Sequence, residues 1–175
     1  PSENIREGII RGLYPFRRVT PDGAQLEVQI LGSGVIINEA LRAQSILAEK
    51  YKIASTVYSV TSYQMLRKDA LECERYNRLH PQQPPRVPYV TQVLGPTRGP
   101  IVATSDYMRA LPEQVAPYLG GRLYALGTDG FGRSDTRQAL RRFFEIDAEH
   151  VVVAALYTLA QRREIDTSEV TKAIN

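Results

Sequence analysis

Four times along this chain, an apolar run ends in small polar residues and passes directly into a helical pattern. The junctions are Gly32-Ser33-Gly34, Thr61-Ser62, Ser105-Asp106 and the longer loop 128–135, which reads T-D-G-F-G-R-S-D. Strands that alternate with helices in this way demand crossover connections, so they pair in parallel and need helices on both faces of the sheet. All four junctions then lie at one edge, the carboxyl edge, where open α/β sheets meet their ligands and partners.

The individual elements follow from local pattern. Residues 25–31 alternate apolar and polar side chains and predict a strand; residues 35–51 carry apolar positions at three- and four-residue spacing and predict a helix. Residues 53–60 are rich in β-branched and aromatic side chains, as a strand requires. Thr61-Ser62 caps a long polar helix ending near His80. Residues 81–100 hold six of the eleven prolines and predict an irregular connection with a short amphipathic piece at 87–94. Residues 100–104 and 122–126 predict two further strands. Ser105-Asp106 is expected to cap a helix over 107–118, Ser134-Asp135 one over 136–144 and Asp147 one over 148–162, and a last short helix starts at Thr167-Ser168. At the other end, residues 8–20 read as an extended arm, broken by Pro15 and closed by the turn P-D-G. The start, P-S-E-N, lacks a methionine and a signal-like apolar stretch, and reads as a piece of a longer chain.

Composition narrows the chemistry. At 175 residues, 43% apolar and 23% charged, this is the profile of one ordinary globular domain. The net charge of +3 comes from 22 basic and 19 acidic residues that are interspersed, which argues against nucleic acid as partner. The densest basic group, Arg137, Arg141 and Arg142, reads as a solvated or interface face of its helix. No apolar run reaches the length of a membrane span. One cysteine, Cys73, and two histidines, His80 and His150, cannot assemble a Cys/His metal site.

At the carboxyl edge, Gly32, Ser33 and Gly34 resemble half of a dinucleotide fingerprint, but Ile37 stands where the next glycine belongs. The glycines read first as a tight strand-to-helix turn, and a phosphate held at the helix start is the alternative. In the 128–135 loop, Asp129 and Asp135 could act as paired carboxylates and Arg133 could clamp an anion. A structural reading has Ser134 or Asp135 as a cap, Asp129 in an Asx-turn, and Phe131 anchoring the loop in a neighbouring pocket. Tyr58 to Tyr63 offer hydroxyls without a base. His150 lies beside three valines, and Cys73 sits between glutamates that oppose a reactive thiolate. No catalytic residue can be assembled.

Six blocks, L-G-S-G-V-I at 31–36, V-Y-S-V-T-S-Y at 57–63, C-E-R-Y-N-R-L-H-P at 73–81, R-V-P-Y-V at 86–90, T-S-D-Y-M at 104–108 with E-Q-V at 113–115, and L-G-T-D-G-F-G-R-S-D at 126–135, carry a resemblance. With F-F-E-I-D-A-E-H-V-V-V-A-A-L at 143–156, they resemble the C-terminal domain of the homodimeric pyruvate dehydrogenase decarboxylating component, within the transketolase-like superfamily. Tyr76, where relatives often carry tryptophan, and the 94–100 linker depart from the pattern.

The resemblance implies a three-layer α/β/α sandwich with a mostly parallel, mixed sheet of about five strands, the 8–19 arm supplying the odd antiparallel one. It divides the chain into an N-terminal arm and inter-domain connection at 1–24 and the transketolase C-terminal-like domain at 25–175. It implies a cytoplasmic bacterial enzyme that binds thiamine diphosphate and Mg²⁺ in other domains, decarboxylates pyruvate and passes acetyl to the lipoyl group of dihydrolipoamide acetyltransferase. The G-D-G…N cofactor signature is absent here, so no cofactor or metal is expected in this chain. What remains is a structural and dimer-interface role, contacting the preceding domains, the second subunit and the acetyltransferase. Its candidate residues are Asp129, Phe131, Arg133, Ser134, Asp135, Ser105, Asp106, Thr61 and Ser62, with Phe131 as apolar anchor and Arg133 and Asp135 as charge-paired locks. A free-standing nucleotide-binding module is the alternative.

Overall fold

The computed structural model describes residues 3–174. Five strands, β1 (Leu13–Val19), β2 (Glu27–Ser33), β3 (Ala54–Val60), β4 (Ile101–Thr104) and β5 (Leu123–Leu126), form one sheet in the order β1-β3-β2-β4-β5. β2, β3, β4 and β5 are parallel to one another; β1 runs antiparallel to β3, with a register shift between Pro15 and Arg17. The odd strand is therefore the one expected from the N-terminal arm.

Alternation of side chains across the sheet assigns its two faces. Val28, Ile30, Val57 and Val102 pack under α2 (Ile37–Tyr51) and α7 (Ala148–Gln161), with α8 (Thr167–Ile174) against the rim. Leu31, Tyr58, Ile101 and Ala103 pack under α3 (Tyr63–Leu79) and α4 (Tyr89–Leu94). The mixed α/β/α sandwich is thus as expected. Each fully buried Leu or Ile here, such as Ile30, Leu31 and Leu47, contributes about 1.5–3 kcal/mol by leaving water. One polar residue joins layers: fully buried Gln44 of α2 donates from Nε2 to Ser55 O at 2.9 Å and Arg17 O at 3.1 Å, fastening the β1–β3 edge.

Two caps stand where the sequence puts them. Ser62 accepts from Met65 N–H at the start of α3, and Asp147 from His150 N–H at the start of α7. Three expectations are corrected. Part of the arm is not extended: α1 spans Glu3–Arg11, because buried Gly8 lets it lie on Tyr14 and Tyr89, where a Cβ would come within 2.7 Å of Tyr14 Cβ. The helix expected over 107–118 is only α5 (Ala110–Glu113) and a 3₁₀ turn at Ala116–Tyr118, since Pro112 and Pro117 remove the N–H groups a longer helix needs. Ser105 consequently caps no helix; its hydroxyl accepts from Tyr107 N–H at 3.3 Å in a local turn. Finally, α6 (Arg137–Phe143) is capped by Thr136, which accepts from Ala139 N–H at 3.2 Å, not by Ser134 or Asp135.

Candidate functional site

The chain leaves β2 toward β3 on one side and returns to β4 on the other, so the order in which strands are added reverses between the parallel neighbours β2 and β4. Such a switch point opens a crevice beyond the strand ends. Here it is a cleft of about 450 Å³ whose walls include Val35, Asp106, Thr128, Phe131 and Arg133.

The β5 loop is fastened to the β4 loop. Gly127 has no room for a side chain, since a Cβ would lie 2.5 Å from Tyr107 O. Thr128 N–H donates to that same oxygen at 2.8 Å, and Thr128 Oγ1 donates to Asp106 O at 2.9 Å. Asp129 completes the clasp. Its Oδ1 accepts Arg109 N–H at 3.1 Å and its Oδ2 accepts Arg109 Nε–H at 2.6 Å. Those two hydrogen bonds, side chain first and backbone second, hold the Asp129 carboxyl below the usual aspartate range.

Beyond the clasp the loop stands free. Gly130 takes φ +97°, a left-handed value that favours glycine, and turns Phe131 outward to 97% exposure. Arg133 lies over the Phe143 ring, 3.9 Å from its centroid, and Asp135 Oδ1 accepts Thr136 N–H at 2.6 Å. The paired-carboxylate reading of Asp129 and Asp135 is therefore corrected: one serves Arg109 and the other a helix start. Arg133 and Asp135 are not paired with each other, and Phe131 enters no pocket of its own chain.

Val35, Tyr107, Met108 and Phe143 are also more than half exposed, so this edge presents an apolar surface of long side chains set among glycines. Large exposed apolar side chains grouped on one edge mark an interaction surface. Ser105 is buried inside the β4 turn. Thr61 and Ser62, one strand further along, are tied to the α1–β1 connection: Thr61 Oγ1 donates to Ile9 O at 2.8 Å, and both backbone N–H groups donate to Gly12 O, with Thr61 exposed and Ser62 half-buried. The candidates thus divide into a set at the loop surface, Asp106 and 128–135, a pair committed to the α1–β1 connection, Thr61 and Ser62, and the buried Ser105. Gly32 belongs with packing, because a Cβ there would lie 2.9 Å from Ile37 Cα.

Sequence reading missed the support beneath the site. Glu39 of α2 is 4% exposed, yet its Oε1 takes Arg141 Nη1 of α6 at 2.8 Å, and its Oε2 takes Arg42 Nη1 and the Ala148 N–H of α7, both at 3.1 Å. One carboxylate thereby joins α2, α6 and the start of α7. A glutamate three residues before an arginine on a helix was the only local signal, and it points to a surface pair.

Nothing here forms a nucleophile and base. His150 Nδ1 is tied to Asp147 within the cap. Cys73 is buried in α3, and burial first, then the Asp69 charge, push its thiol up. Among the described residues no three His, Cys, Asp or Glu side chains are grouped to hold a metal ion.

Residues 12–147 match the family described as the transketolase-like TK C-terminal domain. The chain belongs to this family. It is 49% identical over 173 residues, 98% of its length, to the pyruvate dehydrogenase E1 component of Escherichia coli K12, and 46% identical over 167 residues to that of Mycolicibacterium smegmatis. The chain spans about a fifth of the length of these relatives, 19% and 18%. Among solved structures, a transketolase from Pichia stipitis in complex with sedoheptulose 7-phosphate superposes with a TM-score of 0.60 at 21% identity, covering 91% of this chain and 20% of that one. A split-gene transketolase, an inactive β4 tetramer, gives 0.53 at 20% identity, covering 84% of this chain and 43% of that one. These two likenesses bear on the fold, and the family read from the six motif blocks is the one found.

A magnesium diphosphate needs several free oxygen ligands around one point. Asp129 and Asp135 are already engaged, and the described residues contain no such group.

Proposed function

We propose that this chain is the non-catalytic C-terminal domain of a pyruvate dehydrogenase E1 component, and that its carboxyl edge is a contact surface for the rest of that enzyme. In this reading other parts of the polypeptide hold thiamine diphosphate and Mg²⁺ and decarboxylate pyruvate, as a homodimer in the bacterial cytoplasm. The acetyl unit then goes to the lipoyl group of dihydrolipoamide acetyltransferase.

The observation that carries the interface role is Phe131. A phenyl ring left 97% exposed costs apolar hydration, yet the backbone on both sides is fastened by Asp129–Arg109 and by the Thr136 cap. A loop fastened at both ends that holds an aromatic ring and an arginine outward has the composition of an interface hot spot. The domain would contribute by positioning: it presents a preformed edge to the preceding domains or to the second subunit.

The test is Phe131→Ala and Arg133→Ala in the complete E1 protein. The expected result is a dimer that dissociates at least about tenfold more readily, or a matching loss of complex activity, as for truncation of a central interface residue. Unchanged dimer stability and turnover in both variants would overturn the reading. The nucleotide-module alternative has less support, because Gly32 is occupied with packing against Ile37.

A further inference from the structure

At the opposite, amino edge of the sheet lies a second cleft, of about 660 Å³. It is bounded by the start of β2, the loop that leads into β4, the residue before β5 and the end of α7. Its lining includes Arg18, Arg98, Arg122 and Arg162 against only Glu27 and Glu164, an excess of two positive charges.

The fixed element is Arg122. Its guanidinium donates to Thr97 O at 2.7 Å, to Gly99 O at 3.3 Å and to Leu94 O, so it is held by carbonyl dipoles with no carboxylate partner among the described residues. These bonds pin the 94–99 loop. Gly99, at φ +72°, brings that loop so close to β2 that a Cβ would lie 1.7 Å from Glu27 O. Beneath it, fully buried Gln29 donates from Nε2 to Arg98 O at 3.0 Å, and its Oε1 has no partner.

The carboxylates neutralise the rim only partly. Glu164 takes Arg162 Nε, and Glu27 meets Arg18 across 3.5 Å with that arginine two-thirds exposed. Arg98 has no ion pair among the described residues. Burial, and next the nearby Arg162 charge, hold Arg122 below the usual arginine range. Of the four arginines, Arg98 and Arg122 have no carboxylate partner among the described residues, an imbalance that an anion of two or more charges would offset.

We propose that this amino-edge cleft binds a small phosphoryl-bearing anion, with Arg98 and Arg162 closing on it over a floor set by Arg122. Guanidinium forks match phosphoryl oxygens two at a time, and a net charge of two suits a phosphate better than a single carboxylate. The site is separate from the carboxyl-edge surface and does not depend on the role assigned to it.

The probe is inorganic pyrophosphate, titrated calorimetrically into the full chain at constant ionic strength, with citrate as the non-phosphoryl comparison. Saturable binding is expected that weakens at least about tenfold in Arg98→Ala/Arg162→Ala, as the loss of charge-assisted hydrogen bonds would give. Amide shifts at Arg98 and Gly99, with none at Gly130 and Gly132, are expected in the wild-type spectrum. Arg137→Ala/Arg142→Ala on α6 should bind as the wild type does. Absence of saturable binding, equal affinity for citrate, affinity unchanged in the Arg98/Arg162 variant, or loss in the α6 variant would each overturn the proposal. The spectrum of each variant reports its folding, so loss of binding through unfolding is told apart.

Discussion

Asp129 grips Arg109 through both carboxylate oxygens, one on the backbone N–H and one on the side chain, across 20 residues of sequence. With the two hydrogen bonds of Thr128 to Tyr107 O and Asp106 O, this contact makes one surface out of two strand-end loops. Both residues are about half exposed, so the pair contributes little to global stability. Its effect is local order, and that is where it should be measured.

The first prediction concerns pH. The folded Asp129 carboxyl lies below its ordinary value, so the order it confers is fully present above the unfolded pKa and is lost as pH falls through the folded one. A carbon-detected titration should place its midpoint below the usual aspartate value of about 3.9. Asp129→Asn should accelerate amide exchange at Arg109 while leaving the melting temperature nearly unchanged. A midpoint at or above the ordinary value would contradict the clasp.

Glu39 is the reverse case, buried and carrying three donors. Glu39→Ala would strand Arg141 and the Ala148 N–H together, and breaking a buried pair costs about 3–5 kcal/mol. Urea unfolding should show the midpoint falling with little change in slope. A loss below about 1 kcal/mol, the range of a surface pair, would mean that Glu39 is not the joint between α2, α6 and α7.

Gly32→Ala separates packing from anion binding at the start of α2. The added methyl would meet Ile37 Cα at 2.9 Å, backbone that cannot swing away. The expected cost is about 1–3 kcal/mol, as for overpacking elsewhere. An unaltered unfolding midpoint would remove the packing role.

Cys73 should react slowly with alkylating reagents at neutral pH, since its thiol is buried and shifted upward. Mass-spectrometric labelling is expected to be sparse in native protein and complete in denaturant. Rapid native labelling would contradict the placement of α3 against the sheet.

Much of the architecture was legible because it is local. Strand alternation, the Ser62 and Asp147 caps and the Gly130 turn depend on residues within a few positions of one another. The misreadings have equally local causes: Pro112 and Pro117 were read through as helix, and Gly8 was read into an extended arm although it is the residue that lets α1 approach Tyr14. What the sequence could not show is pairing at a distance. Arg109 with Asp129, Arg141 with Glu39 across 102 residues, and the Arg122 carbonyl cradle all arise only when crossovers bring loops together. The 128–135 loop stood out from its glycines, but the partner of Asp129 did not, because an aspartate in a loop says nothing about which distant donor will claim it.

The central claim is that the carboxyl edge is covered in the intact enzyme. Hydrogen exchange over residues 127–135 should be compared between this chain alone and the complete E1 protein. The account predicts much slower exchange in the complete protein at Gly130, Phe131 and Gly132, with α3 unchanged. Equal exchange in the two would mean that this edge faces solvent in both, and would contradict the claim.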